Sequence, residues 1–264
     1  MPLIRTLTCL AWAACSAAAL ADEGIATDRP DFVESSAVMD KGRVQLELGV
    51  NLERSHSAGQ RGRAQFTPAL LRVGLGHALE ARIETDGMIR ARVTDDSTGI
   101  TTRNSGFSDV SLGLKWHSSD GDEKAGTPST AWLFHLDMNS GSAAFRGDGV
   151  RPSLRFVAEW DLPGDTSIGV MPGLARDTDD NGRRFTAGIL AVTVSTEIAP
   201  GWRAFIELAG LRLASGARGG NLAALDGGVT YLISPDMQVD ASFQRGITRN
   251  TPFLGLGLGW SIRF

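Results

Sequence analysis

Cysteine is nearly missing from this chain. The two present, Cys9 and Cys15, fall in the stretch MPLIRTLTCLAWAACSAAALADE, with one positive charge at Arg5, an apolar run from Leu7 to Leu20, and Ala19-Leu20-Ala21 before two acids. That layout predicts a secretory signal, residues 1–21, cut after Ala21. The rival is a lipoprotein signal lipidated at Cys15, but Trp12 stands where leucine would be wanted. After cleavage no cysteine remains, which excludes disulfides and thiol chemistry in the oxidising compartment the chain enters.

Long apolar runs are also missing. No segment beyond the signal has the 18 or so consecutive apolar residues of a membrane-spanning helix, and helical periodicity is nearly absent. Nor is there a basic excess. Removing the signal takes away Arg5, leaving 25 of the 26 basic residues against 30 acidic ones, a net charge of −5 that gives no support to nucleic-acid binding. At 264 residues, with 42% hydrophobic residues and 32 glycines, the chain fits one barrel-sized domain that uses its apolar residues by pattern.

What is there is a period of two. In GRVQLELGVNLER, Val44, Leu46, Leu48, Val50 and Leu52 share one face and Gln45, Glu47, Gly49, Asn51 and Glu53 the other, because successive strand side chains point oppositely. Similar runs predict about twelve strands, centred near residues 48, 71, 86, 112, 135, 156, 170, 191, 207, 228, 241 and 258; the segments 64–76 and 185–198 alternate poorly. Connections such as HAL, DLPGD, APG and SPDM are tight, whereas 55–63, 94–106, 140–150, 176–184, 213–221 and 246–251 are longer and polar. Alternating long and short connections are the habit of an outer-membrane barrel. The connection 118–129 is too long for its place in that scheme.

The expected fold is therefore all-β, a transmembrane antiparallel up-and-down barrel over residues 42–264, both termini periplasmic. One face of each strand must stay apolar in lipid, and every backbone polar group must be paired there, which an open sheet cannot do at its edges. The ending FLGLGLGWSIRF fits this scheme: Leu254, Leu256, Leu258, Trp260, Ile262 and Phe264 face lipid while glycines, Ser261 and Arg263 face inward. The expected partners are outer-membrane lipids and, through the closing strand ending at Phe264, the barrel-insertion machinery.

The inward wall supplies the candidate site. Glu47, Arg82, Glu84, Asp86, Arg90 and Arg92 are read as lumen residues, with Asp109 and Lys115 on the next strand, then His135 and Asp137, then Arg155, Glu159 and Asp161. Eight strands leave an interior just filled by side chains and sixteen an open channel; twelve predicts a narrow pore obstructed by salt bridges.

At the N-terminus, IATDRPDFVESSAVMDKGRVQLELGV resembles the opening of the meta-pathway phenol-degradation family, bacterial proteins often called transporters, through Thr27, Asp28, Arg29, Pro30, Asp31, Phe32, Glu34, Ser35, Gly42, Gln45 and Glu47. The resemblance implies an outer-membrane barrel passing small, aromatic or hydrophobic compounds. Residues 22–41 are either a periplasmic tail or a lumen plug in which Asp28, Arg29 and Asp31 pair with wall charges such as Arg82, Glu84 or Arg92.

Enzymatic and metal chemistry find thin footing. His135 and Asp137 share a face, as when a carboxylate orients an imidazole, but no serine accompanies them on that strand. The acidic run 176–184 has a glycine at the sixth position of a calcium loop, Gly182, yet Gly188 stands where the closing glutamate belongs. GLGLG at 255–259 has no helix after it, unlike a nucleotide loop. The expected function is passive passage of small molecules with no cofactor or metal, against which stand a lipid-modifying enzyme and a sealed structural or partner-binding barrel.

Overall fold

The computed structural model describes residues 24–264 apart from 58 and 180; the expected signal with Cys9 and Cys15 lies outside the described residues. Fifteen strand segments follow in order: β1 (Val44–Ser57), β2 (Gln60–Phe66), β3 (Ala69–Gly76), β4 (Leu79–Thr85), β5 (Met88–Asp95), β6 (Thr101–Phe107), β7 (Val110–Ser119), β8 (Ser129–Asp137), β9 (Arg151–Leu162), β10 (Thr166–Thr178), β11 (Arg184–Ala199), β12 (Trp202–Leu213), β13 (Leu222–Ser234), β14 (Met237–Gly246) and β15 (Leu254–Arg263). All pairings are antiparallel, and β15 returns to β1 in the register Gln45↔Arg263 through Arg54↔Leu254, closing the sheet. The backbone of Phe264 extends that seam by donating to Val44 O at 2.8 Å.

β2 with β3, β4 with β5 and β6 with β7 are the two halves of single strands, so the barrel has twelve. Eleven expected centres fall inside strand segments, and the one near 86 falls in a break. The three breaks, at Thr67-Pro68, Asp86-Gly87 and Ser108-Asp109, line up across the wall: Thr67 N donates to Asp86 O at 3.0 Å and Ser108 N to Gly87 O at 2.9 Å. Pro68 has no N–H to give a ladder. Gly87 has φ +66°, and a Cβ there would lie 2.1 Å from Thr67 O, so only glycine lets the strands approach. We refer to this transverse line as the crease.

The crease changes which residues face inward. Below it, Ile83 pairs with Leu71 and Leu112 on the outer face, leaving Arg82 and Glu84 inside. Above it, Leu52 of the outer face pairs with Gln65 and Gln65 with Arg90. The intervening bulge shifts the alternation by one, so Arg90 and Arg92 stand on the outer face, correcting their expected place in the lumen. The expected long connections at 55–63 and 94–106 are corrected likewise: β1, β2, β5 and β6 occupy most of those residues, because this sector of wall rises as strand rather than loop.

The remaining rims follow the expected alternation. One carries tight turns, including His77 and Ala78 with φ 53° and 61°, and the other the segments 138–150, 179–183, 214–221 and 247–253. The over-long connection 118–129 closes on itself through the bridge Asp122↔Thr127, with Asp122 accepting from Lys124 N at 2.9 Å. Toward the tight-turn rim the outer face carries aromatics, among them Trp116, Trp132, Trp202, Tyr231 and Trp260. This is the interfacial girdle of a barrel in a bilayer.

Candidate functional site

Residues 24–41 run through the barrel as an irregular segment without a strand of their own. Its backbone amides, lacking a sheet, find wall carboxylates instead. Asp28 N donates to Glu47 Oε2 at 3.1 Å, Phe32 N and Val33 N to Glu207 at 2.8 and 2.7 Å, Ser36 N to Glu159 Oε2, and Met39 N to Glu80 Oε2 at 3.0 Å. Each acceptor is an inward-facing residue of a different strand.

The side chains complete the attachment. Asp28 accepts from Lys115 Nζ at 2.9 Å through both oxygens and from Arg82, with Arg72 at 3.6 Å. Arg82 and Arg155 each reach Glu34 at 2.7 Å. Arg72 bonds Glu80 twice, at 2.8 and 2.9 Å, and donates to the carbonyl of Ala37 at 2.9 Å. Arg72, Lys115, Glu47 and Glu80 are fully buried. Charges so removed from water persist because each meets opposite charge and further hydrogen-bond partners; deleting one member of such a pair costs about 3–5 kcal/mol.

Arg29 lies in a groove made by glycines. Gly49 of β1 pairs directly with Gly259 of β15, and a Cβ on either would come within 2.6 and 2.4 Å of the Arg29 guanidinium group. That clearance lets Arg29 reach Asp240 at 3.2 Å. Across the lumen, Val33 packs with Leu133, Val157, Met171, Ala191 and Ala209 in an apolar cluster that Phe32 and Leu211 flank. The interior thus has an ionic side and an apolar side, with one segment bridging them.

A cavity of about 400 Å³ remains beside the segment, bordered by Asp28 to Phe32 and by Glu47, Glu53, Glu84, Asp86, Arg155 and Asp226. Among the described residues Glu53, Glu84, Asp86 and Asp226 make no ion pair, so the cavity wall is acidic.

The other sequence-predicted residues separate into groups. His135 faces the interior and is 3% exposed, and its Nε2 has no hydrogen-bond partner. Asp137 shares that face but lies 3.8 Å from Arg151; no hydroxyl bonds His135 among the described residues. Asp109, at the crease, accepts from Gly141 N and Gly147 N at 2.8 and 2.9 Å and from Arg151 at 2.9 Å, and so ties down the loop 138–150. Asp31 is inside the barrel and makes no ion pair among the described residues, Arg92 is remote from it, and Asp179 of the 176–184 run is taken up by Arg183. Sequence reasoning missed Arg72, Glu207, Asp226 and Asp240. Each stands at an inward position of its strand; for Glu207, Asp226 and Asp240 that alternation was the available signal, while around Arg72 it is blurred by neighbouring leucines.

A family model described as "Putative MetA-pathway of phenol degradation" matches residues 27–264. Among solved structures, an outer membrane channel from Pseudomonas putida F1 is similar with TM-score 0.57 and 13% identity, over 89% of this chain and 99% of its own. The β domain of the Bordetella autotransporter BrkA follows at TM-score 0.52 and 14% identity, over 83% and 98%. The KdgM porin in complex with disordered oligogalacturonate reaches TM-score 0.51 and 8% identity, again over 83% and 98%. At these identities the likeness is one of fold. No curated protein sequence matches the chain.

Proposed function

The chain belongs to this phenol-degradation family, and from that premise we propose that it is a passive outer-membrane channel for small molecules, aromatic ones among them, with residues 24–41 as a seated plug. The carrying observation is the segment itself: a polar strap inside a twelve-stranded barrel, held by side chains of many strands, beside a cavity of about 400 Å³. Twelve strands lie between the side-chain-filled eight and the open sixteen. The strap narrows what remains to a path for small solutes.

The tight-turn rim is the periplasmic one in this reading, which leaves both termini in the periplasm and the longer loops outside. Glu53, Glu84, Asp86 and Asp226 give the path a cation preference and disfavour anions. Glu47, Asp28, Arg82, Lys115, Arg155 and Glu159 are plug-seating residues, and His135 packs among them without catalytic partners. The protein acts by diffusion, needs no cofactor and is not an enzyme.

Planar-bilayer recording tests this. Wild-type protein is expected to give small, cation-selective conductance steps, and the double variant Asp28→Ala/Arg29→Ala steps several-fold larger. Unchanged conductance in that variant would remove the plug, and no steps or solute flux in either protein would remove the channel.

A further inference from the structure

Above the crease the outer wall carries arginines where lipid-facing residues would be expected to end. The register sets Arg54 opposite Arg63, Arg63 opposite Arg92, and Arg92 opposite Arg103, one row across β1, β2, β5 and β6. Directly opposed residues share a face. Arg54 continues the outward series of Leu48, Val50 and Leu52, so the whole row points away from the lumen. Arg90 stands one row lower, between Gln65 and Ser105.

Like charges directly opposite one another destabilise a sheet, and nothing in the chain relieves these. The nearby carboxylate of Asp96 is taken by Arg61 and by His56 at 3.3 Å. Among the described residues the side chains of Arg54, Arg63, Arg90, Arg92 and Arg103 form no ion pair or hydrogen bond. Arg63, Arg90, Arg92 and Arg103 surround a shallow depression of about 510 Å³ that Leu52 also lines.

The location narrows what could neutralise them. With strands about 4.8 Å apart, the four guanidinium groups span roughly 14 Å along the wall. The row lies directly above the apolar band that ends at Leu52, half exposed at 49%. An anion bound here would have its charge level with the arginines and could have hydrocarbon beside the leucines. Arginine is the side chain that matches phosphate oxygens two at a time. The opposite rim carries tryptophans at the corresponding depth, so the two faces of the membrane are addressed by different chemistry.

We propose that this arginine row binds the phosphate groups of a phosphorylated, acyl-chain-bearing glycolipid in the outer leaflet, its hydrocarbon lying along Val50 and Leu52. The inference rests on the barrel standing in the outer membrane with its loops outward; it does not require the lumen to conduct. Occupancy would neutralise the row and anchor the raised sector of wall.

The test uses the full barrel in detergent, titrated with a bisphosphorylated acylated disaccharide, the same lipid with its phosphates removed, and inorganic phosphate, with bound mass read by native mass spectrometry. The expected result is at least tenfold tighter binding of the phosphorylated lipid than of either comparator, and loss of that preference in Arg63→Gln/Arg92→Gln/Arg103→Gln. Equal binding of the two lipids, capture of inorganic phosphate as tightly as the lipid, or full retention by a folded triple variant would each overturn the proposal. The wild-type lipid comparison decides the matter even if the triple variant fails to fold. Conductance of the same samples is recorded separately, so a silent lumen that still prefers the phosphorylated lipid counts against the channel alone.

Discussion

The two sides of the barrel interior hold the same segment by opposite means. Around Asp28 the wall offers Arg72, Arg82 and Lys115, all buried and each bonded to more than one partner. Around Val33 it offers Leu133, Val157, Met171, Ala191 and Ala209, whose contacts have no direction. Apolar packing tolerates exchange of shape at constant volume, whereas a buried charge network tolerates no loss of a member. The ionic side therefore fixes where the segment sits, and the apolar side supplies bulk that keeps water out.

The largest expected effect follows from pairing two near-isosteric substitutions. Lys115→Met strands Asp28 without its ammonium partner and should cost about 3–5 kcal/mol. Met171→Leu on the apolar side should cost less than about 1.5 kcal/mol. Guanidinium unfolding of the detergent-solubilised barrel, followed by tryptophan fluorescence, measures both. Equal losses would break the distinction between the two sides. Adding Asp28→Asn to Lys115→Met should recover part of the loss, because the buried cluster then lacks one charge of each sign rather than carrying an uncompensated negative one.

A smaller effect is expected where the segment crosses the seam. Gly259→Val places side-chain atoms where the Arg29 guanidinium group lies, since a Cβ alone would come within 2.4 Å of its Nε. Overpacking of this kind costs about 1–3 kcal/mol. Arg29 must leave Asp240, so protease cleavage of the segment should quicken while the barrel itself stays folded. A segment as resistant as wild type would show that the ionic cluster at Asp28 suffices to hold it. Leu256→Val, on the outer face of the same strand, is the control and should leave cleavage unchanged.

Much of this was legible from alternation alone. Ten of the twelve strands, their outward leucines and the closing strand follow from a period of two, because a lipid-facing position admits no charge and a strand cannot slip by one without exposing several; the strands within 64–76 and 185–198 follow from length and turn signals instead. Arg90 and Arg92 escaped that logic because the bulge at Asp86-Gly87 shifts the phase between β4 and β5, and a phase shift of one residue reads in sequence as unbroken alternation. Arg72 was hidden for a different reason: in ALLRVGLG the inward Leu70 and outward Leu71 are both apolar, so the period is blurred. The glycines of β15 were visible as an inward face, but their use was not. The group they accommodate, Arg29, lies more than two hundred residues away in sequence, and only the closed register brings Gly49 and Gly259 together.

The smallest effect concerns a charge cluster outside the membrane-spanning strands, which holds the seam at the tight-turn rim. Asp236, in the turn between β13 and β14, accepts from Arg263 at 2.7 Å and from Arg43 at 3.1 Å, joining the end of β15 to the approach to β1. The hydrogen bond from Arg263 and the charges of both arginines hold its carboxyl below the ordinary carboxylate value. A lowered native pKa means stability that is present above the unfolded value of about 3.9 and disappears as pH falls through the native one. Asp236→Asn should therefore lower the unfolding midpoint slightly at pH 7, and the difference should vanish as pH falls through the lowered native value, where the native carboxyl is protonated too. The site is well hydrated, so added salt should shrink the difference at pH 7. A difference that persisted in acid would instead assign Asp236 a role through turn geometry rather than charge.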